Sequence, residues 1–482
     1  MCANVLVAAA IVLAPSTLNN PYLDRETIVL GLLLCLQTHA ALILERRRRD
    51  PMMVLLAAEM IFYYALRIFT LTLYPFSFVF GRYPYAPADT NHALTFILIA
   101  NILMYAGLYL AGTPQRAAVD ASGWRAVLPS RVAFLIALAI GVSYFSESHS
   151  PGEVPPRILG FLELFVSANV IILMGLAYYF LFRRSLSHTF TVVLGVLIVF
   201  DMFVHTLAGS RSAIVTFIQD LVLIGLAMFG CVRLPRRYVV MGVLSIPLVA
   251  ALLILTFVVS TYNRSNRQLG ASFDFGGAVA MGANAGGDQT LKDSLDLTLP
   301  LIFARTGFLD YSAEVMAHRA QYRSVINLPV YGESVVDNIL TPGFDVYDMP
   351  KVANALQYVY MEWGTPSKMN VPENYQSDQL GIYGEYYALF GVAGLPLIFI
   401  AAYMFKRLYV RMTSVTPYFL VVKRVVILYL FLEVVRSFGI DWVLAEAVPI
   451  VAAIYLYSYF FRSKPIAPTA AARRIAAVAA GT

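Results

Sequence analysis

Runs of about 20 apolar residues recur along the 482-residue chain and are separated by polar connections. A helix needs about that length to cross the ~30 Å hydrocarbon layer of a bilayer. Hydrophobic residues make up 59% of the chain and charged residues only 13%, whereas about a quarter of the residues in soluble domains are charged. The sequence therefore predicts an all-α, polytopic integral membrane protein with about 12 transmembrane helices.

The apolar runs are assigned as twelve predicted spans, of which the fifth is short. They cover residues 3–18, 27–44, 52–74, 92–111, 132–146, 159–182, 189–208, 212–230, 239–260, 383–405, 417–439 and 442–461. No internal repeat relates the first six spans to the last six, because only the second half carries a long polar insertion.

Lysine and arginine are concentrated in alternate connections between these spans. One set of connections holds nineteen of them: Arg46, Arg47, Arg48, Arg49, Arg116, Arg125, Arg131, Arg183, Arg184, Arg233, Arg236, Arg237, Lys406, Arg407, Arg411, Arg462, Lys464, Arg473 and Arg474. The short connections of the other set hold four: Arg25, Arg82, Arg157 and Arg211. Because basic connections stay on the cytoplasmic side, we expect a multi-pass protein with both termini in the cytoplasm.

A long polar stretch, 261–382, lies between the ninth and tenth predicted spans. Residues 261–381 hold 13 of the 29 acidic residues but only 8 of the 35 lysines and arginines. The alternation of basic connections puts this stretch on the extracytoplasmic side. We therefore expect four parts: nine spans in 1–260, one large extracytoplasmic loop domain in 261–382, three spans in 383–461, and a disordered cytoplasmic tail in 462–482.

The distribution of charge and cysteine excludes several classes of function. Basic residues occur in short clusters beside apolar runs, which is typical of topology signals and not of a nucleic-acid surface. The three cysteines lie in or beside apolar runs, so no disulfide framework or thiolate site is expected. No cluster of ligands has metal-site spacing on the outer side, so neither a metal nor a cofactor is predicted. An enzyme acting there needs a donor that is already activated, such as a lipid-linked diphosphate.

Ionisable residues inside the apolar runs are costly and often functional. Asp201 and His205 are one helical turn apart, near the end of span seven that faces the polar stretch. His205 is therefore a candidate general base. Glu59, Glu163 and Asp220 are expected to form interhelical pairs that fix the bundle.

Three arginines lie where the chain enters or leaves the membrane on the outer side. Arg211 is in the short connection between spans seven and eight, where a guanidinium and the free N–H groups of a helix start can hold an anion. Arg264 and Arg267 follow directly on span nine, three residues apart. These arginines are candidates for binding an anionic substrate.

A helix is predicted over residues 301–316 of the polar stretch. Arg305 falls on its apolar stripe, where a buried arginine needs an anion beside it. Asp310 and Glu314 fall on the opposite face and are expected to face solvent. Arg305 is therefore the fourth candidate for anion binding.

The end of the polar stretch holds two further candidates for a general base, Asp378 and Glu385. Glu385 is expected at the outer end of span ten. Tyr383, Tyr386 and Tyr387 are expected to form an aromatic belt at the membrane interface, with stacking on sugar rings as the functional alternative.

Three motifs accompany this layout: Gly-Ser-Arg-Ser-Ala at 209–213, the segment around Arg305, and Gly-Glu-Tyr-Tyr-Ala-Leu-Phe-Gly-Val-Ala-Gly at 384–394. Over residues 190–410 the chain thereby resembles the O-antigen and exopolysaccharide repeat-unit polymerases. The resemblance implies a glycosyltransferase of the bacterial inner membrane that joins undecaprenyl-diphosphate-linked oligosaccharides on the periplasmic face, without metal. Its partners would be that lipid-linked oligosaccharide and the bilayer, with a chain-length regulator left open.

The resemblance assigns roles to the candidate residues. Arginines would hold the diphosphate, and the candidates are Arg211, Arg264, Arg267 and Arg305. The acceptor hydroxyl needs a base within hydrogen-bond reach, and Glu385, Asp378 or His205 would serve.

Two alternative functions stay open. The first is an O-antigen ligase; such enzymes use a loop histidine followed by spaced glycines, and His318, the only histidine of the polar stretch, lacks that pattern. The second, from another class, is a secondary transporter or a flippase for lipid-linked oligosaccharides. A transporter keeps its site near the middle of the membrane and has no need of a long external insertion.

The predicted topology can be tested with reporter fusions. Fusions after Arg184, Arg237 and Arg411 should give a cytoplasmic signal, and a fusion near Gly343 should give a periplasmic one, because basic connections stay inside. A cytoplasmic signal from the Gly343 fusion would contradict both the topology and the periplasmic reaction.

Overall fold

The computed structural model describes residues 2–13, 20–48, 50–73, 86–113, 119–127, 129–148, 167–207, 213–229, 307–325, 327–340, 346–347, 381–436 and 440–466. Most of these residues are helical, which confirms the mainly α-helical class predicted from the sequence.

Nine α-helices are described before the polar stretch: α1 (Cys2–Leu13), α2 (Arg25–Arg48), α3 (Pro51–Glu59), α4 (Leu66–Leu73), α5 (Pro87–Leu110), α6 (Pro129–Ser148), α7 (Ala168–Phe182), α8 (His188–Leu207) and α9 (Ala213–Phe229). A π-helical segment, Met60–Ala65, joins α3 to α4. From the polar stretch onwards the described helices are α10 (Phe308–Ala317), α11 (Arg319–Val325), α12 (Leu328–Val335), α13 (Gly381–Phe390), α14 (Leu395–Arg411), α15 (Pro417–Arg436) and α16 (Ile440–Tyr457). A second π-helical segment, Val336–Leu340, extends α12.

By length and composition, four of the described helical stretches are long and apolar enough to cross a membrane: Arg25–Glu45, Pro51–Thr72, Pro87–Leu110 and Gly381–Arg411, of which the last is interrupted at Gly391–Gly394. Shorter apolar helices cover Ser130–Val142, Ala168–Phe182, His188–Phe203, Thr216–Phe229 and Ala447–Tyr457. All of these fall on predicted spans. The ninth predicted span, 239–260, lies outside the described residues, so the number of twelve spans stays a prediction.

Local sequence sets where several of these helices begin. Asp50 caps α3, because its side chain accepts a hydrogen bond from the backbone N–H of Met52, and Pro51 occupies the first helical position. Ser167 caps α7 by accepting from the N–H of Val170. Each cap satisfies an N–H group that has no partner within its own helix.

Contacts at one end of the bundle join connections that carry the basic residues. Lys406 Nζ lies 2.6 Å from Asp50 Oδ1, and both side chains are buried. Arg407 Nη1 donates a hydrogen bond to the carbonyl of Ala111, just after α5. Connections of the same predicted set therefore lie together, as the alternation of basic clusters requires.

Two short strands close this end of the bundle. Strand β1 (Trp124–Val127) pairs antiparallel with β2 (Arg462–Pro465), and Tyr178 Oη of α7 donates to the carbonyl of Arg462 at 2.6 Å. The first residues of the segment predicted as a disordered tail thus form a strand, because a partner far earlier in the chain satisfies their backbone groups. Residues 467–482 lie outside the described residues.

The opposite ends of α2 and α5 are joined by a polar cluster. Asn91 Nδ2 donates to the Asp24 carboxylate at 3.0 and 3.1 Å, and Thr27 Oγ1 donates to Asn91 Oδ1 at 2.6 Å. Burial acts to raise the pKa of Asp24, but hydrogen bonds from the Thr27 backbone N–H and from Asn91 outweigh it, so this pKa is lowered. Asp24 therefore keeps its charge and holds the two helices together.

Helix α10 belongs to the polar stretch but lies inside the bundle. It packs against α5, α13 and the Met60–Ala65 segment, and its residues from Phe308 to Met316 are buried. The expectation that Asp310 and Glu314 face solvent is therefore wrong, since their exposed fractions are 1% and 0%. A helical-wheel argument assumes one free face, whereas here neighbouring helices cover α10 on all sides.

A buried cation on the third predicted span compensates the charge of Asp310. Arg67 Nη2 lies 2.6 Å from Asp310 Oδ2, and Arg67 Nε lies 3.1 Å from Oδ1, so the guanidinium and the carboxylate meet as a two-pronged pair. Neither side chain is more than 1% exposed. Charged hydrogen bonds of this geometry are among the strongest in proteins, and this one fixes the polar stretch to the bundle.

The ion pair can be tested by unfolding purified variants in detergent. Asp310→Asn should lower the free energy of unfolding by about 3–5 kcal/mol, because it leaves the Arg67 guanidinium buried without an ionised partner. The matched control is the double variant Arg67→Met with Asp310→Leu, which removes both charges and should recover most of that loss. A single variant as stable as the wild type would contradict the proposed anchoring.

Candidate functional site

Helices α13 and α14 run in opposite senses along α5. On α13, Tyr383 Oη lies 3.1 Å from Met104 Sδ of α5. Four residues later on α13, the ring centroid of Tyr387 lies 5.1 Å from that of Phe96, which comes eight residues before Met104. Contacts therefore move towards the start of α5 as α13 proceeds. On α14, Phe399 packs against Gly107 and Arg407 reaches Ala111. Contacts therefore move towards the end of α5 as α14 proceeds. The chain therefore reverses between α13 and α14.

Glycines make this reversal possible. Gly391 has φ 60°, the left-handed conformation that glycine adopts at no steric cost. The turn continues as a short 3₁₀ segment, Gly391–Gly394, and a Cβ on Gly394 would lie only 2.8 Å from the carbonyl oxygen of Tyr386. The predicted span ten, 383–405, is therefore not one straight helix. Hydropathy reports how apolar a run is, but not the direction in which the chain travels.

This reversal changes the position of Glu385, one of the candidate bases. Glu385 was expected at the outer end of a span, but it lies on α13 with an exposed fraction of 3%. Helices α5, α10 and α15 all pack against α13, so the carboxyl group is enclosed by the bundle. A buried carboxylate among helices is a typical candidate for a general base or a cation partner.

The tyrosines around Glu385 do not form a belt at the membrane interface. Tyr383, Tyr386 and Tyr387 are at most 9% exposed, and Tyr64 packs edge-on against Tyr383 with ring centroids 5.6 Å apart. The hydroxyl of Tyr387 lies 3.4 Å from His92 Nε2. These rings therefore hold α13 against its neighbours, and the expectation of a belt is wrong because it assumed a surface-facing helix.

A fifth arginine, which sequence reasoning did not select, lies beside this helix. Arg319, the first residue of α11, donates from Nε to the carbonyl of Tyr387 at 2.9 Å, and its guanidinium lies 5.7 Å from the centroid of that ring. It is half-buried, next to Gly391. Within the described residues its Nη groups make no hydrogen bond, so they are available to an anion. Its position directly after a buried helix was the signal that could have identified it.

A second buried polar group lies where the Met60–Ala65 segment meets α15. Arg436 donates to Glu433 on the same helix and, at 2.8 Å, to Gln219 Oε1 on α9. Glu59, at the start of the π-helical segment, is 8% exposed, and no described residue hydrogen-bonds to its Oε2. No described residue forms an ion pair with Glu59 at contact distance, although Arg436 on α15 interacts with it electrostatically. Segments of π-helix often mark functional sites.

The pair Asp201 and His205 forms as the spacing predicts, with His205 Nε2 3.4 Å from Asp201 Oδ1 on α8. These residues lie among α7, α8 and α9, whereas Glu385 lies among α5, α10 and α15. Two of the three candidate bases, His205 and Glu385, therefore lie in different groups of helices.

The remaining candidates lie outside the described residues: Asp378, Arg211, Arg264, Arg267 and Arg305. Glu163, expected in an interhelical pair, also lies outside them. Their roles stay predictions.

Comparison of the chain with models of protein families, with curated proteins and with solved structures gives no match. Inferences about function therefore rest on the residues and contacts of this chain.

The turn that positions Arg319 can be tested through Gly391. Gly391→Ala should cost about 1–2 kcal/mol of stability from its left-handed backbone alone, and its Cβ would lie 3.2 Å from Arg319 Cζ. The matched control is Gly195→Ala on α8, where a Cβ meets no atom within 4 Å and should stabilise the helix by up to about 1 kcal/mol. Equal midpoints of unfolding for the two variants would contradict the described turn.

Proposed function

We propose that the protein is a glycosyltransferase of the bacterial inner membrane that polymerises undecaprenyl-diphosphate-linked oligosaccharide repeat units into O-antigen or exopolysaccharide on the periplasmic face. The observation that carries the proposal is that a candidate base and a candidate anion-binding group are both held on α13. Glu385 is a buried carboxylate on α13, and Arg319 donates to the backbone carbonyl of Tyr387, two residues further along the same helix. The Nη groups of Arg319 make no hydrogen bond within the described residues.

This pairing matches what the reaction needs. Glu385 accepts the proton of the acceptor hydroxyl, whose oxygen forms the new glycosidic bond at the anomeric carbon of the donor. The bond from that carbon to the diphosphate breaks, and undecaprenyl diphosphate leaves with the bonding electrons. Arg319, together with Arg211, Arg264, Arg267 and Arg305, stabilises the charge on the departing diphosphate. No metal or cofactor is part of this proposal.

The arrangement of the connections between helices supports a reaction on the periplasmic face. Buried contacts such as Asp50 with Lys406 gather the basic connections at one end of the bundle. If that end is cytoplasmic, as the basic clusters predict, the polar stretch begins and ends at the periplasmic face. ATP and nucleotide sugars are absent there, so a lipid-linked diphosphate is the activated donor.

One observation favours a second candidate, a flippase or secondary transporter. Transporters bind their substrates where helices are interrupted within the membrane, in both halves of the chain. Here the third predicted span contains the π-helical segment Met60–Ala65, and the tenth is broken at Gly391–Gly394. The third candidate, a ligase, differs from a polymerase only in its acceptor.

A deletion strain separates the three candidates by its glycan banding. Loss of a polymerase should leave lipid A core carrying one repeat unit, whereas loss of a ligase should leave bare core. Loss of a flippase should leave repeat units on the cytoplasmic leaflet. Bare core or stranded repeats would overturn the proposed polymerase.

The same strain, complemented with variants at equal membrane levels, tests the arginines. Arg319→Lys should reduce long-chain glycan synthesis about 30- to 1000-fold, equivalent to roughly 2–4 kcal/mol, because lysine lacks the planar fork that binds a diphosphate. Replacement of Arg211, Arg264, Arg267 or Arg305 by lysine should also reduce long-chain glycan synthesis.

The matched control is Arg323→Lys, which changes an exposed arginine one turn further along α11 and should leave chain length unchanged. If all five variants keep wild-type chain length, the arginines do not bind the diphosphate.

A further inference from the structure

A small pocket lies between α7, α8 and α9, in the group of helices that does not contain Glu385. Its walls are apolar except for four side chains: Asp201 on α8, Thr216 and Asp220 on α9, and Asn169 on α7. Two carboxylates thus line one small pocket among apolar helices. Such groups are expensive to keep in a membrane protein unless something binds them.

Asp220 supplies a second and independent observation. Its exposed fraction is 7%, and it forms no hydrogen bond or ion pair in the part of the chain that the structure describes. A buried carboxyl group normally has a hydrogen-bond partner, because its removal from water costs free energy that only such a partner offsets. The pocket is therefore built around an unpartnered acid.

The neighbouring groups define the chemistry of the missing partner. Thr216 lies one helical turn before Asp220 on the same face of α9, so both side chains point into the pocket. With Asp201 and Asn169 they present oxygen atoms, which are the ligands that hard cations prefer. His205 Nε2 already faces Asp201 Oδ1 at 3.4 Å, whereas no cationic side chain of the described residues lies within ion-pair distance of Asp220.

We propose that this pocket binds a single sodium ion through Asp220 and Asp201, with Thr216 and Asn169 as neutral oxygen ligands. The bound cation supplies the positive charge that Asp220 lacks among the described residues. The ion ties α7, α8 and α9 together and stabilises the folded bundle. The existence of this site does not depend on the proposed reaction.

The experiment measures sodium binding to the full-length protein in detergent at pH 8. Radiolabelled sodium should bind saturably with a stoichiometry of about one, and sodium chloride should raise the midpoint of thermal unfolding above that in choline chloride of equal ionic strength. Asp220→Asn should abolish both effects. Thr216→Val, which keeps the shape of the side chain but removes one oxygen, should weaken binding about tenfold, the loss expected for one ligand contact.

Two controls keep the outcome decisive. Asp120→Asn removes an exposed carboxylate in the connection after α5 and should bind sodium like the wild type. Size-exclusion profiles of Asp220→Asn must match the wild type, and Thr216→Val provides a milder change should they not. Absence of saturable sodium binding in the wild type, or equal binding by wild type and Thr216→Val, would overturn the proposal.

Discussion

The buried ion pair between Arg67 and Asp310 is the interaction on which the rest of the arrangement depends. It joins the third predicted span to a helix that comes from the polar stretch, across 243 residues of chain. Removing two charges from water costs several kcal/mol for each ion, and only close, two-pronged geometry offsets that cost. Such a pair contributes less to net stability than to specificity, because any other placement of α10 would leave a charge buried alone.

The position of α10 determines the position of the candidate site. Helix α13 packs against α10 and reverses into α14 at Gly391, and α11 follows α10 directly, so Arg319 arrives beside the same turn. The guanidinium of Arg319 then binds the carbonyl of Tyr387, two residues beyond Glu385. A sequence of contacts thus leads from one salt bridge to a helix that carries a buried acid and binds an arginine.

Composition and short-range spacing predicted the helical class, most of the apolar helices, and the turn that brings His205 to Asp201, because each depends on neighbours in sequence. The same reasoning was wrong for Asp310 and Glu314, whose burial depends on helices far away in the chain. It also missed the reversal at Gly391 and the contact of Arg319 with α13, since hydropathy carries no information on the direction of the chain. For Arg211, Arg264, Arg267, Arg305 and Asp378, the hypothesis still rests on sequence alone.

The π-helical segment Met60–Ala65 sets the rotational phase of the helix that follows it. A π-helical turn accommodates one residue more than an α-helical turn, so everything beyond it is rotated by about 100° relative to an uninterrupted helix. Arg67 lies two residues past this segment and depends on that rotation to face Asp310. Loss of a single residue from the segment would keep the apolar composition of the span but turn the guanidinium towards another neighbour. The irregular turn is therefore part of the recognition between the span and the polar stretch.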